Sequence, residues 1–300
     1  MSDTQWPIEH EQISTGSVNL HVATAGPTDG PLVILLHGFP EFWYGWRRQI
    51  PVLASAGFHV LAPDQRGYNT SDKPPRVKDY SIDRLSEDVI GLIDHCGRET
   101  AMLVGHDWGG AVTWWTAARF PDRIARLSIL NVPHPVVMRK HLLRRWSQMR
   151  KSWYMFFFQL PWLPERRFLK DNSQRALRGI QKSGRRGAIS DEDLEHYRAA
   201  WQQPGAMQGM INWYRAMFRA QAQRPKSYRV KPPTLVIWGK RDAFIGHEMA
   251  PESLELCDDG RLEFIDEATH WVQHEEPERV NRLLVEHLTA PAVASPAAAN

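Results

Sequence analysis

The chain has 300 residues, enough for one large domain or two smaller ones with a substantial core. Its apolar share of 42% and charged share of 24% are those of an ordinary soluble globular protein, and a net charge of +3 gives no argument for nucleic-acid binding. The start lacks the basic-then-apolar pattern of a secretory signal, and the longest apolar run, over 153–163, is too short to span a bilayer. In chain order, Leu32–Leu36 is a continuous aliphatic run, as expected of a strand buried on both faces. Phe58–Ala62, Ala101–Val104 and Thr234–Trp238 read the same way, while Arg261–Ile265 alternates and suits a strand nearer a sheet edge. Ile82, Leu85, Val89, Leu92 and Ile93 fall on one helical face, and Val280, Leu283 and Leu284 continue a second apolar stripe. This alternation predicts an α/β fold with a mostly parallel sheet flanked by helices.

The regularity breaks over 133–231, a stretch rich in Arg, Trp, Met and Phe with no buried-strand pattern. Such an insertion in an α/β domain is usually functional, often a lid. The expected organisation is a core over 1–132 and 232–290, a helical cap over 133–231, and a disordered Ala- and Pro-rich tail over 291–300. Cys96 and Cys257 have no metal-like spacing and read as free thiols, so a cytoplasmic protein without metal or organic cofactor is expected.

Gly105-His106-Asp107-Trp108-Gly109-Gly110 joins a predicted strand to a predicted helix. It has the form of the Gly-x-Ser-x-Gly nucleophile turn with Asp in place of Ser. Small flanking residues are needed because the chain reverses so tightly there. The same residues also suit a plain helix N-cap at Asp107, so the turn alone leaves both readings open. His37-Gly38-Phe39-Pro40 follows the first buried strand, where the Phe39 N–H, paired with that of Trp108, could serve an oxyanion. Asp242 closes a later strand and His270 follows the last, which gives the order nucleophile, acid, histidine. His274 is the competing histidine, and the competing acid position after the preceding strand holds Asn131. An imidazole backed by a carboxylate has the intrinsic pKa to deprotonate water.

Together with His37–Glu41, Arg66–Ser71, Trp238–Asp242 and His270-Trp271, these segments resemble soluble or bacterial-type epoxide hydrolases of the α/β-hydrolase superfamily, in order along nearly the whole chain. Asn69 and Thr269 depart from that pattern where glycine is common. The resemblance implies a covalent route through Asp107, with His270 and Asp242 completing the catalytic set. It also places two lid tyrosines, Tyr154 in Trp153–Pro161 and Tyr214 in Ile211–Arg215, against the epoxide oxygen. An alkoxide leaving group needs a proton donor, which a phenol supplies and a halide does not require. Haloalkane dehalogenation on the same Asp is the alternative, favoured by the indole of Trp108 and disfavoured by the apolar Phe39. A ligand-binding protein on the same fold is a third reading. His37, Trp43 and Phe157 are expected to line an apolar pocket with Trp108, Trp153 and Phe39. The expected partners are a small apolar epoxide and water. The basic residues Arg139, Lys140, Arg144, Arg145, Arg150 and Lys151 read as a solvated face, with membrane association a lesser idea.

Overall fold

Among the described residues, eight strands form one sheet in the order β1-β2-β4-β3-β5-β6-β7-β8. They are β1 (Glu9–Ser14), β2 (Asn19–Ala25), β3 (Leu32–Leu36), β4 (His59–Pro63), β5 (Ala101–His106), β6 (Ile124–Leu130), β7 (Thr234–Gly239) and β8 (Gly260–Ile265). β2 runs antiparallel to both β1 and β4, and every other pairing is parallel. The computed structural model describes residues 6–291, so the tail expected to be disordered lies outside the described residues from 292 onward.

The aliphatic runs are strands because both faces are covered. Ile34, Leu36, Leu103, Leu127 and Ile129 point into one apolar layer, and Val33, Leu35, Val60, Val104 and Leu235 into the other. β8 lies at the sheet edge, as its alternation predicts. β1 leaves no such signal, since only Ile13 of Glu9–Ser14 is buried. The core helices are α1 (Ile50–Ser55), α2 (Ile82–His95), α3 (Trp108–Arg119), α11 (Met249–Leu254), α12 (Val272–Glu275) and α13 (Pro277–Thr289). α2 starts on Ser81, whose side chain accepts from the Arg84 N–H, and buries Leu85, Val89, Leu92 and Ile93 of the predicted stripe, with Ile82 partly buried.

Between β6 and β7 the chain runs through α4 (Pro135–Arg144), α5 (Trp146–Lys151), α6 (Trp153–Phe157), α7 (Leu163–Leu169), α8 (Gln174–Ser183), α9 (Asp191–Trp201) and α10 (Ala206–Arg219). Specific polar contacts tie this insertion to the sheet domain. Trp201 Nε1 donates to the Pro40 carbonyl at 2.7 Å, and Trp213 Nε1 to the Arg66 carbonyl at 2.9 Å. At Gly209 on α10, a Cβ would lie 2.5 Å from the Gly67 carbonyl oxygen, so this crossing requires glycine. No helix among the described residues is long and apolar enough to cross a membrane.

Candidate active site

β5 ends at His106 and α3 begins at Trp108, leaving Asp107 alone in the turn with φ 49° and ψ −120°. That strained conformation is held by tight backbone packing. A Cβ on Gly109 would lie 2.0 Å from the Leu36 carbonyl oxygen, and one on Gly105 would lie 2.5 Å from that of Gly109. The small residues therefore do what the motif requires of them. Asp107 makes no side-chain cap hydrogen bond to α3, which removes the plain N-cap reading. Its Oδ1 instead accepts from the Phe39 N–H at 2.9 Å. Trp108 opens α3, so its N–H is one of the first-turn donors that the helix itself leaves unpaired.

His270 Nε2 stands 3.6 Å from Asp107 Oδ2, beyond hydrogen-bond length, and its Nδ1 donates to Asp242 Oδ2 at 2.7 Å. The other Asp242 oxygen accepts the N–H groups of Phe244 at 2.7 Å and Ile245 at 2.9 Å. Burial raises the Asp242 carboxyl, but the His270 charge and these donors outweigh it and hold it below the ordinary range. For His270, burial disfavours charge, yet Asp242 and then Asp107 reverse the balance and lift the imidazole to about 9. Asp107 contributes less to this lift than Asp242 does.

A cavity of about 650 Å³ joins Asp107 and His270 to Tyr154 and Tyr214. Tyr154 comes from α6 and Tyr214 from α10, and their ring centroids are 5.9 Å apart. Burial pushes the Tyr154 hydroxyl far above its ordinary range, and nearby Asp107 and Asp242 push it further. Burial also raises Tyr214, with Tyr154 and Asp107 adding to it. Both phenols therefore keep their protons at neutral pH. Tyr214 is boxed at 5.1 Å by the side chains of Phe39 and of Trp108, the two residues whose backbone N–H groups border Asp107. Phe39, Phe157 and Trp153 line the cavity as expected.

Three residues expected to line the pocket are corrected. His37 is buried behind the site, with Nδ1 facing the Gly38 carbonyl at 3.0 Å and Nε2 accepting from the Gln65 N–H at 3.1 Å. Trp43 packs on His10, Phe42 and Tyr44, away from the lining. Trp108 lies under Trp213 and Tyr214 and likewise falls outside the lining.

The structure also brings in residues that the motifs left unassigned. Glu41, closing the His37–Glu41 segment, is buried and accepts from Tyr197 at 2.8 Å and Gln273 at 3.0 Å. It also faces His106 Nδ1 at 3.0 Å and His274 Nε2 at 2.6 Å. Burial raises the Glu41 carboxyl, but the two histidines more than offset this and hold it well below the ordinary range. Burial outweighs Glu41 at His274 and holds that imidazole below its ordinary value. A neutral ring fits its geometry, since Nδ1 faces Arg47 Nη1 at 3.2 Å and must accept there. His274 is thus part of a buried brace, and His106 Nε2 carries the brace to the His270 carbonyl at 2.8 Å. The signal was the Glu in the oxyanion-loop motif, whose side chain no local pattern connects to residues 65 or more positions away.

This geometry accords with the kinship of the chain. Residues 31–277 match the family model of the alpha/beta hydrolase fold. The AB hydrolase superfamily protein YfhM of Bacillus subtilis is 45% identical over 276 residues, covering 92% of this chain and 96% of that protein. Epoxide hydrolase 1 of Caenorhabditis elegans is 41% identical over 277 residues, covering 90% of this chain and 67% of its own. The crystal structure of the Bacillus megaterium epoxide hydrolase in complex with an inhibitor superposes with a TM-score of 0.84 at 31% identity, covering 93% of this chain and 100% of that one. The chain belongs to the epoxide hydrolase family of the α/β-hydrolase superfamily. In this hydrolase the four parts of the site come from β5–α3, the loop after β7, the loop after β8, and two helices of the insertion.

Proposed function

We propose that the protein hydrolyses epoxides to vicinal diols, with residues 133–231 acting as the cap that supplies the proton donors. The observation that carries this reading is the joint placement of Asp107, His270, Tyr154 and Tyr214 on one cavity. Asp107 Oδ1 is occupied by the Phe39 N–H, so Oδ2 is the free nucleophile. Oδ2 attacks a ring carbon as the carbon–oxygen bond breaks, and the released oxygen takes a proton from a tyrosine. The product of this step is an alkyl ester on Asp107. His270 Nε2 then removes a proton from water, and the hydroxide adds to the ester carbonyl carbon. The oxyanion forms on Oδ1, where Phe39 donates and where the Trp108 N–H is the natural second donor. Collapse breaks the bond between the Asp107 carbonyl carbon and Oδ2, which leaves with the substrate as an alkoxide and takes the proton of the added hydroxyl, so that the Asp107 carboxylate is restored and the diol is released. The proton on His270 returns through solvent to the tyrosinate. Each step uses only protein groups and water.

Halide release on the same nucleophile is the second reading, supported by the Trp108 indole beside Tyr214. Phe39 weighs against it, because a phenyl ring offers no N–H to a leaving halide. The test is to incubate the protein and an Asp107→Ala control with an aryl epoxide and with a bromoalkane, and to assay diol and bromide in parallel. Diol formation that disappears in the control is expected. Bromide without diol would overturn the epoxide reading. A cytoplasmic location and a small apolar epoxide as substrate complete the reading.

A further inference from the structure

Charge and exposed apolar surface are both concentrated on the insertion, to a degree that net charge conceals. Residues 133–231 carry 21 Lys and Arg against six Asp and Glu, a net +15, which leaves −12 on the rest of the chain. Within 133–190 the acids are only Glu165 and Asp171, and Arg215 holds Glu165 at 2.6 Å. On the same insertion, Trp146, Trp153, Trp162, Phe156 and Phe218 are 77%, 64%, 60%, 54% and 51% exposed. A soluble surface normally scatters such side chains singly. Here Phe156 and Phe218 meet at 6.0 Å, Trp153 sits at the head of the same helix, and Arg166 lies over Trp162 at 5.5 Å.

The cavity opens through this surface. Arg150, Trp153, Arg167 and Arg175 are exposed and also line the cavity, which makes them its mouth. We infer that the insertion docks on an anionic phospholipid bilayer, with the exposed Trp and Phe side chains in the interface and the cavity mouth facing the lipid. Indole and phenyl rings favour the headgroup boundary, and Lys and Arg around them are drawn to anionic headgroups. A second copy of the chain packed face to face would set two basic faces, each from a segment of net +15, against each other, so the charge favours lipid as the occupant. Only the nature of what enters the mouth, an apolar epoxide dissolved in the bilayer, rests on the function proposed above.

The experiment is co-sedimentation of the full chain with vesicles of phosphatidylglycerol and phosphatidylcholine in equal parts, and with phosphatidylcholine alone. The wild type is compared with the Trp146→Ser/Phe156→Ser/Trp162→Ser variant and with the Arg144→Glu/Arg145→Glu/Arg166→Glu variant. None of these side chains lines the cavity. Expected is binding to the anionic vesicles at low salt, weakened at least roughly ten-fold in about 0.5 M salt. The charge variant should bind at least roughly ten-fold more weakly, since each cation near such a surface contributes about a five-fold factor. The aromatic variant should also lose binding, while turnover of a water-soluble epoxide stays at the wild-type rate in both. Failure of the wild type to sediment with anionic vesicles would overturn the proposal, as would full binding by both variants. A dimer in solution that Trp162→Ser dissolves would instead assign the patch to a second copy. Vesicle binding without turnover of any epoxide would support the docking and count only against the substrate.

Discussion

Asn131 and His270 donate to the same oxygen of Asp242, at 2.8 Å and 2.7 Å, from the ends of two different strand-to-loop junctions. Asn131, at φ 50° just after β6, also accepts the Gly239 N–H at 3.0 Å. It stands at the position where a catalytic acid would compete with Asp242, and the structure makes it that acid's brace. Asn131→Ala removes a hydrogen bond to a charged acceptor and leaves the buried Gly239 N–H without its partner. We expect a stability loss of about 2–3 kcal/mol and a fall in kcat of about ten-fold, read by urea unfolding and steady-state rates. Stability within about 0.5 kcal/mol of wild type would remove Asn131 from this role.

The elements that the sequence makes legible are those whose signal is local. Leu32–Leu36 can only be a doubly buried strand, and Gly105–Gly109 only a tight strand-to-helix turn, because the residues that enforce each conformation lie inside the segment. The order of Asp107, Asp242 and His270 follows from the same strand ends. Glu41 and Asn131 were not legible as partners, since their contacts reach 65 to 233 residues along the chain. His37 and Trp43 were misplaced for a related reason. A residue beside a catalytic loop can face the cavity or the core, and sequence adjacency does not fix which. β1 escaped because an edge strand with one buried residue has no hydrophobic pattern to read.

The Glu41 brace predicts a loss of both stability and rate. Glu41→Ala leaves His106 and His274 facing a vacated buried position and frees the Tyr197 hydroxyl of α9. Removing one member of such a buried charged network costs about 3–5 kcal/mol, measurable as a lower urea midpoint. Because His106 supports the His270 carbonyl, kcat should fall in those molecules that remain folded. A variant as stable as wild type would show that the brace is dispensable.

His270 links catalysis to pH. Its folded-state pKa of about 9 exceeds the unfolded 6.5, so its contribution to stability is complete below about pH 6.5 and fades as pH rises through 9. The size is about 3 kcal/mol for this buried group. The urea midpoint of the wild type should therefore fall from pH 6 to 9.5 more steeply than that of His270→Gln. Asp107→Asn removes one of the charges that raise the imidazole, so the NMR titration of His270 should move below about 9. An unmoved titration would show that Asp107 does not raise the His270 imidazole.

His270→Gln separates the two chemical steps. Glutamine keeps a polar side chain at that position but cannot take the proton of water, so attack by Asp107 proceeds and hydrolysis of the ester does not. Mass spectrometry of the intact protein after mixing with an epoxide should show an added mass equal to the substrate, with turnover lowered by about 10²–10⁴-fold. Prompt full turnover would remove His270 as the base.

The tyrosines decide whether the leaving group is an oxygen that needs a proton. Tyr154 and Tyr214 stand 5.9 Å apart, ring to ring, on two different helices, and both lie on the cavity that holds Asp107. Burial and neighbouring charge keep both protonated, so either can donate. Each single Tyr→Phe change should then lower the rate of ester formation by about 10–10²-fold, with the partner compensating in part. The Tyr154→Phe/Tyr214→Phe double variant should lose at least about 10³-fold, more than packing alone explains, since phenyl fills the same space. Stopped-flow measurement of ester formation in the His270→Gln background isolates this step from hydrolysis. If the double variant forms the ester at the wild-type rate, the phenols serve only to pack the cavity, and the proton must reach the opening epoxide from water.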